Sequence, residues 1–402
     1  MSNDAFLDLQ NGFYNALMQG LGFRIGDPFQ VVQPSPPLAS GPQADRLLWN
    51  YFNNIPPLSL TQNYIQSAGN QFFSNYTAFL SALVPATPPQ FDQVVGPTIS
   101  AEWLAYSRVA LDRTFPLNQF PQAFRNWAMR YGHSAVASSG ASAMAADFLD
   151  PIIAAQTTVT SLYMDENLVP KPPDWIPDYN TLVQMLPTAP SRSFDLSSSN
   201  MSSDVSKSWT NSSNSGFFGL WSGSSSTSSI SQQFASNGVT VNASFAHVLP
   251  FLATAGQWYS SAAMGLGYSN RTGNPWNSSS SINWQNTFGD RGNLQRFAVQ
   301  LIVVDTMNIE VTSQASFSTS DQNAISQNSG AGMWPFYTSN SGSGSSTSTK
   351  FDNNGKMTVH INSNPGVPIV IGINVLPVSD FVGHSVSSAQ FMYDACLNRV
   401  CV

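Results

Sequence analysis

An α+β chain is what the hydropathy pattern predicts. An α-helical domain is expected over residues 1–164, then an antiparallel β-sandwich or elongated β-sheet domain over residues 196–384. Three observations carry this expectation. Apolar residues recur at helical spacing in the first part of the chain. From Val239 onward they alternate with polar ones, the period of a half-buried strand. Between the two regimes, residues 165–195 are proline-rich ("PKPPDWIPDY…LPTAP") and read as an extended, semi-rigid linker. A tail over residues 385–402 carries both cysteines.

Taken in order, Phe6, Leu9, Phe13, Leu17 and Leu21 mark one face of a first helix. Ser59 can cap a second, with Leu60, Tyr64, Ala68, Phe72, Tyr76, Phe79 and Leu83 on one side and Pro85 at its end. Helices also fit Ser100–Arg113 and Pro121–Tyr131. Ser134–Tyr163 reads as a closely packed helix kinked near Pro151. Its small-residue stripe of Ala137, Ala141 and Ala145 would let a neighbouring helix approach.

After the linker, Val239, Val241, Ala243 and Phe245 alternate with Thr240, Asn242 and Ser244. Phe297–Val304 reads as a strand buried on both faces, continued by alternation through Met307, Ile309 and Val311. Met357, Val359 and Ile361 alternate again, and "VPIVIGINVL" is another buried strand. "DNNG" before Met357 carries an Asn-Gly pair, which accepts the positive φ angles of a tight hairpin turn. A short helix is expected around Ser387–Leu397.

Two segments interrupt this pattern, at about residues 212–233 and 326–349. Each sets an aromatic cluster inside long Ser/Thr-rich arms: Phe217, Phe218, Leu220 and Trp221 in the first, Met333, Trp334, Phe336 and Tyr337 in the second. Each is entered through glycine and followed by a strong strand. They read as matched excursions of one sheet, their eight apolar residues being membrane or interface tips, or loops folded over the core.

Charge is scarce. Asp, Glu, Lys and Arg make up 9% of the 402 residues, against about 25% in ordinary soluble chains. Weakly charged surfaces repel one another weakly, which favours self-association. A net charge of −7 without a basic cluster argues against nucleic acid as a partner. "MSNDAFLDLQ" carries Asp4 and Asp8 where a secretory leader carries Lys or Arg. No run of about 18 apolar residues follows. The expectation is cytoplasmic synthesis without a signal peptide, with release by lysis or a non-standard route.

Reactive groups do not converge in the sequence. His133, His247, His360 and His384 lack second ligands at metal spacing. His360 lies in the polar phase of its strand and reads as a surface residue, while His247 reads as half-buried. No serine sits in a nucleophile elbow. "GLGFRIG" (Gly20–Gly26) has the wrong spacing for a dinucleotide loop. "DNNG" lacks the later acidic ligand of a calcium loop. No cofactor, metal site or catalytic residue is therefore expected, and the chain reads as non-enzymatic. Cys396 and Cys401 can form a local disulfide, bind a partner chain or stay reduced. Trp258, Tyr259, Tyr268, Trp276 and Trp284 fit either a sugar-stacking platform or sheet packing.

In composition and layout the two serine-rich, aromatic-tipped excursions resemble the insertion hairpins of β-pore-forming toxins. That resemblance implies a self-associating, membrane-directed protein that forms homo-oligomers on lipid. The alternative is a structural protein forming a filament, shell or other homomeric assembly, and a third reading is a glycan-binding module. Against the pore, "SSSTSSIS" offers only Ile230 to lipid and "SGSGSSTST" offers nothing, where a spanning strand wants about nine to eleven residues with alternate apolar side chains.

Overall fold

The computed structural model describes residues 4–24, 27–57, 69–198, 219–221, 228–338 and 344–383. It is an α+β chain. Among the described residues nine helices come early: α1 (Asp4–Gly20), α2 (Ala44–Asn53), α3 (Phe72–Ser81), α4 (Gln90–Val95), α5 (Pro97–Ala110), α6 (Phe120–Arg130), α7 (Ala137–Asp147), α8 (Pro151–Leu162) and α9 (Tyr179–Met185). Five more follow among or after the later strands: α10 (Ser228–Ser236), α11 (Ser261–Ser269), α12 (Trp284–Phe288), α13 (Thr319–Asn328) and α14 (Val378–Gly383). The strands are β1 (Phe29–Val31), β2 (Trp175–Ile176), β3 (Arg192–Ser197), β4 (Val239–Leu252), β5 (Thr254–Ala255), β6 (Arg296–Ser316), β7 (Ser345–Phe351), β8 (Lys356–Ser363) and β9 (Ile369–Pro377).

Seven strands form one antiparallel sheet, so the elongated-sheet alternative is the one observed. Its path is β1-β9-β6-β4-β3, with β8 also on β6 and β7 outside β8. Strands β2 and β5 make a separate two-stranded pair. The 21-residue β6 is the spine. Its first half pairs with β9 and its second half with β8, while β4 runs beside both. The "DNNG" turn closes β7 onto β8, with Gly355 at φ 74° and its N–H donated to Asp352 O.

Two cores flank the sheet. One face of its first half (Leu249, Phe251, Leu301, Val303, Ile373) shares a core with Tyr51, Phe79, Trp103 and Phe124 of the early helices. The opposite face (Val241, Phe245, Ile302, Val304, Ile309, Val311, Ile371) shares the second core with α1. The early helices therefore pack directly on the sheet, and α1 belongs to the other side. The segment 165–195 is no free linker. Trp175, Tyr179, Leu182 and Leu186 are buried in the first core, and Trp175–Ile176 pairs with Thr254–Ala255.

Local chemistry accounts for other departures. The Ser134–Tyr163 segment is two helices. Asp150 caps the second, accepting from Ile152 N at 2.8 Å, with Pro151 behind it. The contact line of α7 is Ala137, Gly140, Met144 and Asp147, whereas Ala145 is exposed. A Cβ on Gly140 would lie 2.5 Å from Phe124 and 2.6 Å from Val95. Of the helix expected from Ser59, the start lies outside the described residues. So do the expected helix around Ser387–Leu397 and His384.

Halfway along β6 the sheet changes character. Ile302 and Val304 face the second core, and so do Met307, Ile309 and Val311. A regular strand cannot do this, because its side chains alternate. The parity flips at Thr306, whose φ is 49°, and β4 flips beside it between Phe245 and Val248. Beyond the flip the outer face is no longer covered by the early helices.

Candidate functional site

The tip residues predicted from sequence come together, but not as exposed tips. Leu220, Trp221, Met333, Trp334, Phe336 and Tyr337 are all buried, four of them fully. Phe217, Phe218, Cys396 and Cys401 lie outside the described residues. The two excursions meet each other. Trp221 and Met333 form a β-bridge, Trp334 N donates to Leu220 O at 2.8 Å, and Tyr337 Oη donates to Gly219 O at 2.7 Å. Gly332, at φ 104°, makes the tight entry, since a Cβ there would lie 2.5 Å from Tyr337 O.

This joined cluster lies under α1 and over the sheet. Phe13 packs edge-on against Trp334 and Phe336, with ring centres 5.1 and 5.5 Å away. A buried amide chain fixes it further. Trp334 Nε1 donates to Gln10 Oε1 at 2.5 Å, Gln10 Nε2 to Gln33 Oε1 at 3.0 Å, and Gln33 Nε2 to Pro335 O. Burial pushes the Tyr337 phenol pKa well above its ordinary value. The physical reason for the cover is plain: the second half of the sheet is apolar on this side and needs a partner layer.

The arms also differ from expectation. Ser228–Ser236 is helix α10, with Ile230 and Phe234 buried one turn apart, and Ser345–Phe351 is strand β7.

The second half of the sheet is five strands wide, in the order β3-β4-β6-β8-β7, and its opposite face is exposed to half-buried and polar. Its side chains form three cross-strand rows: Ser193, Ser244, Asn308, Asn362, Ser346; then Asp195, Asn242, Glu310, His360, Ser348; then Ser197, Thr240, Thr312, Thr358, Lys350. Thr312 and Thr358 share a hydrogen bond at 3.3 Å, and His360 stands 3.7 Å from Glu310.

His247 and Asp305 meet at the flip, Nδ1 to Oδ1 at 2.7 Å. Asp305 is 2% exposed, and its other oxygen accepts from Gly366 N at 3.0 Å. The carboxylate thus ties β4, β6 and the β8–β9 turn together. Among the described residues no Ser, Thr or Cys side chain is bonded to His247, and no group of three His, Cys, Asp or Glu side chains could hold a metal ion. His133 pairs with Glu102 at 2.9 Å.

Of the suggested sugar platform, Trp258 and Trp276 are buried core, and Tyr259, Tyr268 and Trp284 are partly buried against it. Sequence reading missed a cleft of about 210 Å³ between α4, α5, α7 and α8. No helix among the described residues is long and apolar enough to cross a membrane. Comparison with protein-family models, curated proteins and solved structures gives no match.

Proposed function

We propose that this chain is a non-enzymatic, self-associating protein that acts on membranes by uncovering the apolar face of its sheet. One observation supports this above the others. The second half of the sheet is amphipathic across five strands, and its apolar face is sealed by two uncharged excursions joined to each other. Alternating polar and apolar faces are what a membrane barrel strand requires.

Energetics set the conditions. Each large apolar side chain of the cover contributes about 1.5–3 kcal/mol by burial. Six of them together approach the whole stability of an ordinary domain, about 5–15 kcal/mol. The cover therefore stays shut in water. A bilayer can offset the cost, because lipid accepts the same apolar area. Self-association then follows from geometry. An open sheet edge is not tolerated in lipid, and a closed barrel needs about eight strands or more, so five strands per copy demand at least two copies. Strands β3, β7 and β8 have six, seven and eight residues, short of the about nine to eleven that span. The reading requires all three to lengthen, β3 and β7 into serine-rich flanks and β8 into the Asn-Pro-Gly segment after Ser363.

A second reading, homomeric assembly without lipid, draws on the polar cross-strand rows of the outer face, most of whose side chains are Ser, Thr or Asn. Five strands at about 4.8 Å and three rows at about 6.8 Å make a patch of roughly 20 by 14 Å. That is below the about 800 Å² per partner of a stable interface, so this face alone would hold copies only weakly.

Dye release from phosphatidylcholine–phosphatidylserine vesicles, read with amide hydrogen exchange, tests both readings. Leakage is expected, with residues 219–221 and 333–338 protected in buffer and losing that protection on vesicles. No leakage at any lipid composition, with protection unchanged, overturns the membrane reading. Regular particles in negative stain without lipid would then establish the second.

A further inference from the structure

The cleft in the helical layer has the marks of a ligand site, independent of the sheet. Helix α8 places Ile153, Gln156, Thr157, Thr160 and Ser161 along its wall, the i, i+3, i+4, i+7, i+8 spacing of one helix face. An inward helix face is ordinarily apolar, yet four of these five are polar. Facing them is an apolar wall that includes Phe91, Trp103, Met144 and Phe148.

Most polar groups here already have partners. Asp147, 6% exposed, accepts from Gln90 N and Phe91 N, both at 2.8 Å, and so caps α4. Gln156 Nε2 donates to Leu80 O at 2.8 Å. Thr160 Oγ1 donates to Gln156 O at 2.8 Å. Asp92, at the mouth, accepts from Ser100 Oγ. Thr157 is half-buried, but Ser161 is sealed from water and unpartnered: it is 1% exposed and its hydroxyl has no hydrogen-bond partner. An unsatisfied buried hydroxyl costs about 1–3 kcal/mol, so its retention in the floor of a cleft calls for an occupant.

We propose that this cleft binds a small, neutral, ring-sized molecule whose hydroxyl or carbonyl oxygen bonds to Ser161. Size sets the first limit: a cavity of about 150 Å³ holds benzene, and this one is somewhat larger. Charge sets the second. The lining contains Asp92 and Asp147 and neither Lys nor Arg, which disfavours anions. Each oxygen of the buried carboxylate already accepts a backbone N–H at the start of α4, which partly offsets its charge. The polar stripe of α8 is neutral, so a neutral ligand fits the lining best. Shape sets the third, because the flat wall of Trp103 and Phe148 suits a ring and the α8 stripe suits a polar edge.

Phenol and benzene serve as probes on the full chain, with binding followed by saturation-transfer NMR. Phenol is expected to bind at least about five-fold more tightly than benzene, the gain of one hydrogen bond. Ser161→Ala should erase that preference and leave benzene binding as it was. Thr157→Phe, which fills the cleft, should abolish both. Contacts from phenol ring protons to the ε-methyl of Met144, assigned through Met144→Leu, give a readout in the unmutated chain. Equal binding of the two probes, phenol binding that survives Thr157→Phe, or the absence of Met144 contacts would each overturn the proposal.

Discussion

Trp334 concentrates what a single residue does in this molecule. Its ring fills the second core between Phe6, Phe13 and Phe234, and its indole nitrogen ends a buried chain of amides. Trp334→Ala should therefore cost about 3–5 kcal/mol, the range for emptying a large aromatic site. Trp334→Phe should cost less, about 1–3 kcal/mol, chiefly by leaving Gln10 Oε1 without its donor. Urea unfolding at unchanged slope measures both. A loss under about 1 kcal/mol for the alanine variant would mean that the side chain is not core. The sequence marks Trp334 clearly, because an aromatic cluster stands out among serines. It does not show where the residue goes. The serine-rich arms around its cluster suggest exposure, while its ring neighbours lie on α1, more than 300 residues earlier, and on α10. Gln10 is still less legible, since a glutamine beside the apolar stripe of a helix reads as solvent-facing. Ser161 was hidden in the same way: one serine on a mixed helix, informative only once the cleft around it is seen.

Among the elements, β6 shows best how pattern and geometry part company. Its alternation and its doubly buried run are both readable, and both are present. The parity flip between them is not readable, because each half is regular by itself. The flip falls at Thr306, a β-branched residue at φ 49°, a conformation that costs non-glycine residues about 1–2 kcal/mol. It is held there by neighbours, with Asp305 bonded to His247 and to the β8–β9 turn. Thr306→Gly should consequently be neutral or stabilising by about 0.5–1 kcal/mol, as the relieved strain outweighs the added chain entropy. Thr312→Gly, six residues on in the regular half, should lose about 1 kcal/mol. Thermal or urea unfolding of the pair decides the matter, and equal losses would show that position 306 carries no strain. The same lesson applies to the serine-rich arms. Ile230 and Phe234 are spaced for a helix, but the surrounding serines mask so short a signal, and α10 was expected as part of a strand.

For the whole molecule the missed feature was the joining of its halves. Residues 165–195 look like a spacer because proline dominates them, yet Trp175, Tyr179, Leu182 and Leu186 dock into the first core. Composition describes how stiff a segment is, not what it lies against. The two cores that flank the sheet leave several phenols with no access to water. Burial raises the pKa values of Tyr14, Tyr51, Tyr76, Tyr163, Tyr259 and Tyr337 above the ordinary one, with the neighbouring Asp174 adding to the effect at Tyr163. The sign follows from linkage. These groups hold their protons more tightly when folded, so their contribution is intact below the unfolded value near 10 and is lost as pH rises beyond it. Each such group lowers stability by up to about 1.4 kcal/mol per pH unit above that point. Six acting together, in both cores, would remove an ordinary domain's stability within about two units. Alkaline titration should therefore show cooperative unfolding by circular dichroism above about pH 10, with a large share of the tyrosinate absorbance appearing in the same step. Exposed tyrosines would ionise earlier and gradually. Full ionisation of all twelve tyrosines while the native dichroism persists would mean that the two cores do not exclude water, and would remove the basis for a sealed cover over the sheet.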